Sequence, residues 1–148
     1  MLRDALTKLA DGWAPTTNTT TYSTYSYDCG DVTPKRDIGN GEPLAVVFSV
    51  GGAAAGSADT TTLSVVSSTS GTDLSTDVLT VASRLIKNAS LAIGTQHVIT
   101  IPPGSVTQRY VGAAVTLGDG DTITLDVDLI PLSMVGIRAT YADAVTWT

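Results

Sequence analysis

QRYVGAAVTLGDGDTITLDVDLI, residues Gln108 to Ile130, is the stretch on which the fold turns. From Thr122 to Leu129 the alternation is unbroken: Ile123, Leu125, Val127 and Leu129 take one side, Thr122, Thr124, Asp126 and Asp128 the other. A period of two with one apolar side describes a half-buried β-strand. Ahead of it Val111, Ala113, Val115 and Leu117 keep the same period. Asp119-Gly120 lies between the two runs, and these residue types tolerate the positive φ angles of a type I′ turn. The stretch is therefore predicted to be an antiparallel hairpin over that turn, its aspartate side in water and its aliphatic side in a core.

The same reading extends over the rest of the chain. Leu44 to Val50 is apolar on both sides, as befits a strand covered twice. Thr60 to Val66 makes another strand. Asp77 to Ile86 fits neither the helical nor the strand period cleanly, with Leu79, Val81 and Leu85 out of step, but its Val and Thr content favours a strand. His97, Ile99 and Ile101 alternate until Pro102-Pro103-Gly104 stops the ladder. Gly51 to Asp59, Ser67 to Thr76 and Lys87 to Gly94 read as loops and connectors. Strands spaced by roughly 10 to 15 residues with Gly/Pro turns describe an all-β, antiparallel β-sandwich or jelly-roll-like domain.

The ends read differently. Leu2, Leu6, Leu9 and Trp13 fall at i, i+4, i+7 and i+11, one stripe of a short helix that Gly12 and Pro15 terminate. About three turns of helix are marginal alone in water, so this one must dock on its own domain or on another chain. Thr16 to Tyr27 is a Thr/Ser run carrying Tyr22, Tyr25 and Tyr27, an extended arm or a plain linker. Leu132 to Thr148 is a tail with Trp147 near its end, a large aromatic that is costly to leave in water. The expected organisation is thus residues 1–27 as N-terminal helix and arm, 28–131 as the β domain, and 132–148 as the tail. Leu2, Leu6, Leu9, Trp13, Tyr22, Tyr25, Tyr27 and Trp147 are the candidate subunit contacts, since aromatic and aliphatic side chains outside the core suit interfaces.

Composition narrows the function. At 148 residues the chain is long enough for one self-supporting core. A net charge of −6 runs against a phosphate-binding surface, so nucleic acid is not an expected partner. No run approaches about 20 apolar residues, the length that spans a bilayer. Arg3, Asp4, Lys8 and Asp11 interrupt the first residues, which do not read as a secretory signal, and synthesis in the cytosol is expected. Cys29 is the single cysteine, so no intrachain disulfide forms.

Catalytic sets are not apparent. His97 is the one histidine, and beside Ile99 and Ile101 on a strand it reads as structural. Gly51 and Gly56 have the spacing of a phosphate loop, but Ser57-Ala58 stands where the phosphate-contacting Lys is needed. Asp126 and Asp128 share a strand side roughly 6.8 Å apart, a pair that glycoside hydrolysis could use, although a solvated sheet face explains them more simply. Asp119 and Asp121 lack the further ligands of a calcium loop, and no Cys/His pair has zinc spacing. No catalytic residue, cofactor or metal is expected, and the chain does not read as an enzyme.

A family likeness adds to this. Arg36-Asp37-Ile38-Gly39-Asn40-Gly41-Glu42-Pro43-Leu44, preceded by Asp28-Cys29-Gly30 and followed by an apolar strand, resembles the signature of the capsid cement proteins of Bordetella-type short-tailed phages. Ile101-Pro102-Pro103-Gly104 with Arg109-Tyr110-Val111 is similar to that family's second block, and Thr122 to Asp128 to its closing strand. The likeness covers about Asp28 to Ile130. It implies a jelly-roll-like domain on the outer surface of an icosahedral head, bridging subunits of the major capsid protein. The apolar and aromatic content at both ends adds the expectation of a homodimer or homotrimer. Under the likeness Gly39 and Gly41 shape the turn before the central strand, Pro102 to Gly104 form a corner between sheets, and Cys29 is a small core hydrophobe. A virion-surface carbohydrate-binding module is the alternative, motivated by tyrosine and tryptophan in a small β-sandwich.

Overall fold

The computed structural model describes residues 8–30, 43–55, 60–133 and 135. Nine strands run in chain order: β1 (Lys8–Trp13), β2 (Thr20–Tyr22), β3 (Tyr27–Asp28), β4 (Leu44–Ala55), β5 (Thr60–Ser68), β6 (Leu79–Lys87), β7 (Gln96–Thr100), β8 (Tyr110–Thr116) and β9 (Thr122–Pro131). A 3₁₀ turn, Asn88–Ser90, follows β6. The first sheet has the order β1-β9-β4-β7, the second β2-β8-β5-β6, with β3 also on β8, and every pairing is antiparallel. With β2 and β3 counted as one interrupted strand, each sheet has four strands and every connection except β5 to β6 crosses between sheets. That is the double-sheet jelly roll.

The core lies between the sheets. Val46, Phe48 and Val50 of β4 meet Leu63 and Val65 of β5, Val111, Ala113 and Val115 of β8, and Ile123, Leu125, Val127 and Leu129 of β9. Those of β8 and β9 are the residues that the alternation assigns to the apolar side. Ala45 and Val47, on the opposite side of β4, are also fully buried, as a strand apolar on both faces requires. Cys29 is buried among the same core side chains.

Four expectations are corrected. The first is the hairpin. The two runs are strands and a turn joins them, but β8 and β9 lie in different sheets and face one another across the core. The turn differs as well: the Asp121 N–H donates to the Gly118 carbonyl at 3.3 Å. Of its two central residues only Gly120 has positive φ, +76°, where a type I′ hairpin needs both. Period-two patterning says which way a side chain points, and two aliphatic sides satisfy it equally well side by side or face to face.

Second, Lys8 to Trp13 is strand β1 and not the end of a helix. Leu9, Ala10 and Trp13 all enter the core, and the register of β1 on β9 shifts between Lys8 and Ala10 and again between Ala10 and Trp13. Bulges of this kind break the period of two, so an edge strand takes on the spacing of a helical stripe. Third, the Thr16 to Tyr27 arm is extended but belongs to the second sheet. Thr20, Thr21 and Tyr22 pair with Thr116, Val115 and Ala114, and Tyr27 with Val111. Residues 8–28 thus contribute β1 to the first sheet and β2 and β3 to the second. Between β2 and β3 the Ser23 hydroxyl stands in for backbone: the Ala113 N–H donates to Ser23 Oγ at 3.0 Å, and Ser23 Oγ donates to the Tyr25 carbonyl at 2.9 Å. The Tyr25 N–H then reaches the Leu9 carbonyl of the other sheet at 2.9 Å and ties this flank of the sandwich together.

Fourth, the aspartate side of β9 is not wet throughout. Asp128 is 2% exposed, and Ile130, two residues on, is buried with it. The alternation places Asp128 opposite the core side correctly, but whether a face meets water depends on what lies over it. A smaller difference concerns Gly51 to Asp59: β4 continues to Ala55, with irregular register after Val50.

Candidate interaction surface

The residues expected to make contacts are scattered. Leu9 and Trp13 are 1% and 9% exposed inside their own core, so they hold the sandwich together and present nothing to a partner. Tyr22 and Tyr27 are half-buried on the β2 and β3 edge, whereas Tyr25 is 57% exposed. Leu2, Leu6 and Trp147 lie outside the described residues, as do Asp37, Ile38, Gly39, Gly41 and Glu42.

The motif residues that are described meet as parts of the fold. Pro43 is exposed, and its carbonyl accepts the Leu132 N–H at 2.7 Å. Pro102 to Gly104 turn the chain from β7 of one sheet to β8 of the other, the Ser105 N–H donating to the Pro102 carbonyl at 3.1 Å, with Gly104 at φ +74°. That is the turn that Pro and Gly at successive central positions favour. Arg109 joins the two blocks: its Nε and Nη2 donate to Oδ1 and Oδ2 of Asp28, each at 2.9 Å, and its guanidinium lies 5.1 Å from the centre of the Tyr110 ring. The β3 to β8 pairing brings these residues together from 81 positions apart. The pair is bidentate but half exposed, which limits it to about 1 kcal/mol.

Asp126, Asp121 and His97, three of the groups considered for chemistry, make contacts within the fold. Asp126 Oδ1 accepts the Gly12 N–H at 2.8 Å and braces the irregular β1. Asp121, fully buried, accepts from Asn88 Nδ2 at 3.0 Å, while Asn88 Oδ1 accepts from the buried Thr61 hydroxyl at 2.8 Å. His97 Nε2 lies 3.1 Å from the Ser90 carbonyl. Its pKa is held below the ordinary 6.5 by partial burial, against the Ser90 carbonyl, which raises it, with Arg84 lowering it further. Among the described residues no group of three or more His, Cys, Asp or Glu side chains could hold a metal ion, and no helix is long and apolar enough to cross a membrane.

The matching family model, Bbp16, extends over residues 9–128, from the second residue of β1 well into β9. The chain belongs to the Bbp16 family. Bbp16 is a Bordetella phage protein family. No curated protein matches the chain. The Bbp16 match starts at Leu9, upstream of the sequence likeness at Asp28, in keeping with β1 and β2 being part of the jelly roll.

What sequence reasoning missed in this Bbp16 chain is the flank formed by β6, the 3₁₀ turn and β7. β6 closes one side of the second sheet and pairs, among the described residues, with β5 alone. Leu79, Leu85 and Ile93 are 51%, 67% and 68% exposed, the only strongly exposed aliphatic side chains of their size among the described residues. The signal was available: Asp77 to Ile86 matched no period, as happens when a strand with a bulge, here opposite Val65 and Val66, carries apolar residues on both sides of an open edge.

Proposed function

We propose that this protein is a capsid cement protein, a structural component of the virion that binds the outside of an assembled phage head and stabilises it by bridging major capsid protein subunits. The observation that carries the reading is the Bbp16 match across the jelly roll, joined to the two cement-type motif blocks that Asp28 and Arg109 clasp together. A phage β domain in which Asp28, Asp121 and Asp126 brace the fold suits a part whose work is adhesion. A protein that binds assembled lattice in preference to free subunits stabilises the shell by mass action. Self-association as a homodimer or homotrimer, made in the bacterial cytoplasm, would multiply such contacts.

Heads lacking the protein, mixed with the purified chain and sedimented, provide the test. Saturable co-sedimentation and extra density of this size above the capsid floor in cryo-electron microscopy are expected. Heads that stay bare at micromolar protein refute it. The carbohydrate-binding alternative has a single strongly exposed aromatic, Tyr25, among the described residues; sugar binding with no binding to heads would favour it.

A further inference from the structure

The charges of this chain are unevenly distributed. Although its net charge is −6, no carboxylate occurs from Val78 to Gly118, where Arg84, Lys87, His97 and Arg109 stand. Three of these lie on the β6 and β7 strands at the open flank. Among the described residues neither Arg84 nor Lys87 takes part in an ion pair, although both are exposed. Leu79 and Leu85 are exposed on the same nine-residue strand, which contains no proline to interrupt a further partner.

An exposed strand edge offers a row of backbone donors and acceptors to any extended chain. Resting on the cement reading, we propose that the edge of β6 left unpaired among the described residues receives an extended, carboxylate-bearing segment of the capsid subunit, added as a further strand beside β6 with its acidic side chains against Arg84 and Lys87. Main-chain hydrogen bonds supply affinity in strand addition, and side chains at alternate positions supply specificity. The two cations disfavour a second copy of the same positively charged edge and favour an acidic strand. Of this chain's described carboxylates, Asp11 pairs with Lys8, Asp28 with Arg109 and Asp126 with the Gly12 N–H, Asp73 and Asp77 accept from the Ser75 and Thr69 hydroxyls, and Asp121 and Asp128 are buried.

The experiment uses the full chain and DNA-free heads lacking it. Hydrogen exchange of the bound protein should slow at amides within residues 79–87 relative to the free protein. Arg84→Glu with Lys87→Glu should weaken binding about tenfold at low salt, Arg84→Gln with Lys87→Gln less, and the difference should shrink as salt rises. If wild type does not bind heads, the cement reading fails and this proposal falls with it. If wild type binds while exchange in 79–87 is unchanged and both variants bind equally well, the edge assignment alone is overturned. Exchange in 79–87 that slows with protein concentration in the absence of heads, together with a monomeric mass for the variants, assigns the edge to a second copy and also overturns it. Should the glutamate variant fail to fold, the wild-type exchange data and the glutamine variant still decide.

Discussion

Leu9→Ala separates two physical pictures of the N-terminal segment. Were Leu9 part of a helix docked on another chain, truncating it would leave the stability of the isolated protein nearly unchanged. In the jelly roll Leu9 is 1% exposed on β1, its carbonyl holds the Tyr25 N–H, and its side chain lies in the core cluster with Trp13. Removing a buried leucine side chain costs about 2–5 kcal/mol, the transfer term plus the cavity left behind. An edge strand relaxes more readily than a central one, which places the expectation near the middle, about 3 kcal/mol. For a chain of this size that corresponds to a fall of roughly 6–12 °C in Tm. Equilibrium urea unfolding followed by tryptophan fluorescence, with a thermal melt beside it, reads both quantities. Tyr25→Ala, on a side chain that is 57% exposed, is the matched control and should stay within about 0.5 kcal/mol of wild type. A Leu9→Ala loss below about 0.5 kcal/mol would refute the placement of β1 in the core.

Other consequences arise from close contacts and buried polar groups. At Gly112 an added Cβ would lie 2.4 Å from Leu74 Cδ1 and 3.1 Å from Ser23 Oγ, so Gly112→Ala should cost about 1–3 kcal/mol, and Leu74→Ala in the same chain should cost less than the sum of the two changes, read from a double-mutant cycle. Asn88→Ala removes both the donor to Asp121 and the acceptor of the Thr61 hydroxyl, an expected loss of about 1–3 kcal/mol by urea unfolding; an unchanged midpoint would mean that the polar bridge is idle. Because the folded-state pKa of His97 lies below 6.5, the unfolded chain binds its proton more readily. Its contribution to stability is therefore present above about pH 6.5 and is lost as pH falls through the folded value, a component that His97→Gln should abolish and that an NMR titration should place below the ordinary histidine range.

The outcome for each element depends on the information its residues encode. Alternation at Thr122 to Leu129, the twice-apolar run at Leu44 to Val50 and the Pro102-Pro103-Gly104 stop are local facts, and each marks a strand or a turn that the fold contains. They were enough for an all-β sandwich, because a strand's facing is set by its own period. The contact surface was far less legible. Leu79 and Leu85 are ordinary aliphatic residues in the sequence, and only the end of the described sheet at β6 leaves them in water. Leu9 and Trp13 show the converse, two side chains that bulges bring into the core although their spacing imitates a helix.

The sequence by itself determined that the runs from Leu44 onward are strands, which side of most of them is apolar, and the likeness that names the phage family. Tertiary structure alone decided which strand pairs with which, that β8 and β9 face each other across the core, that Asp128 lies out of water, and that β6 is an edge among the described residues. The physical reason is that side-chain periodicity is carried within a strand, while pairing, coverage and exposure are relations between segments far apart in the chain. One alternating pattern is compatible with several such arrangements until all the strands are packed.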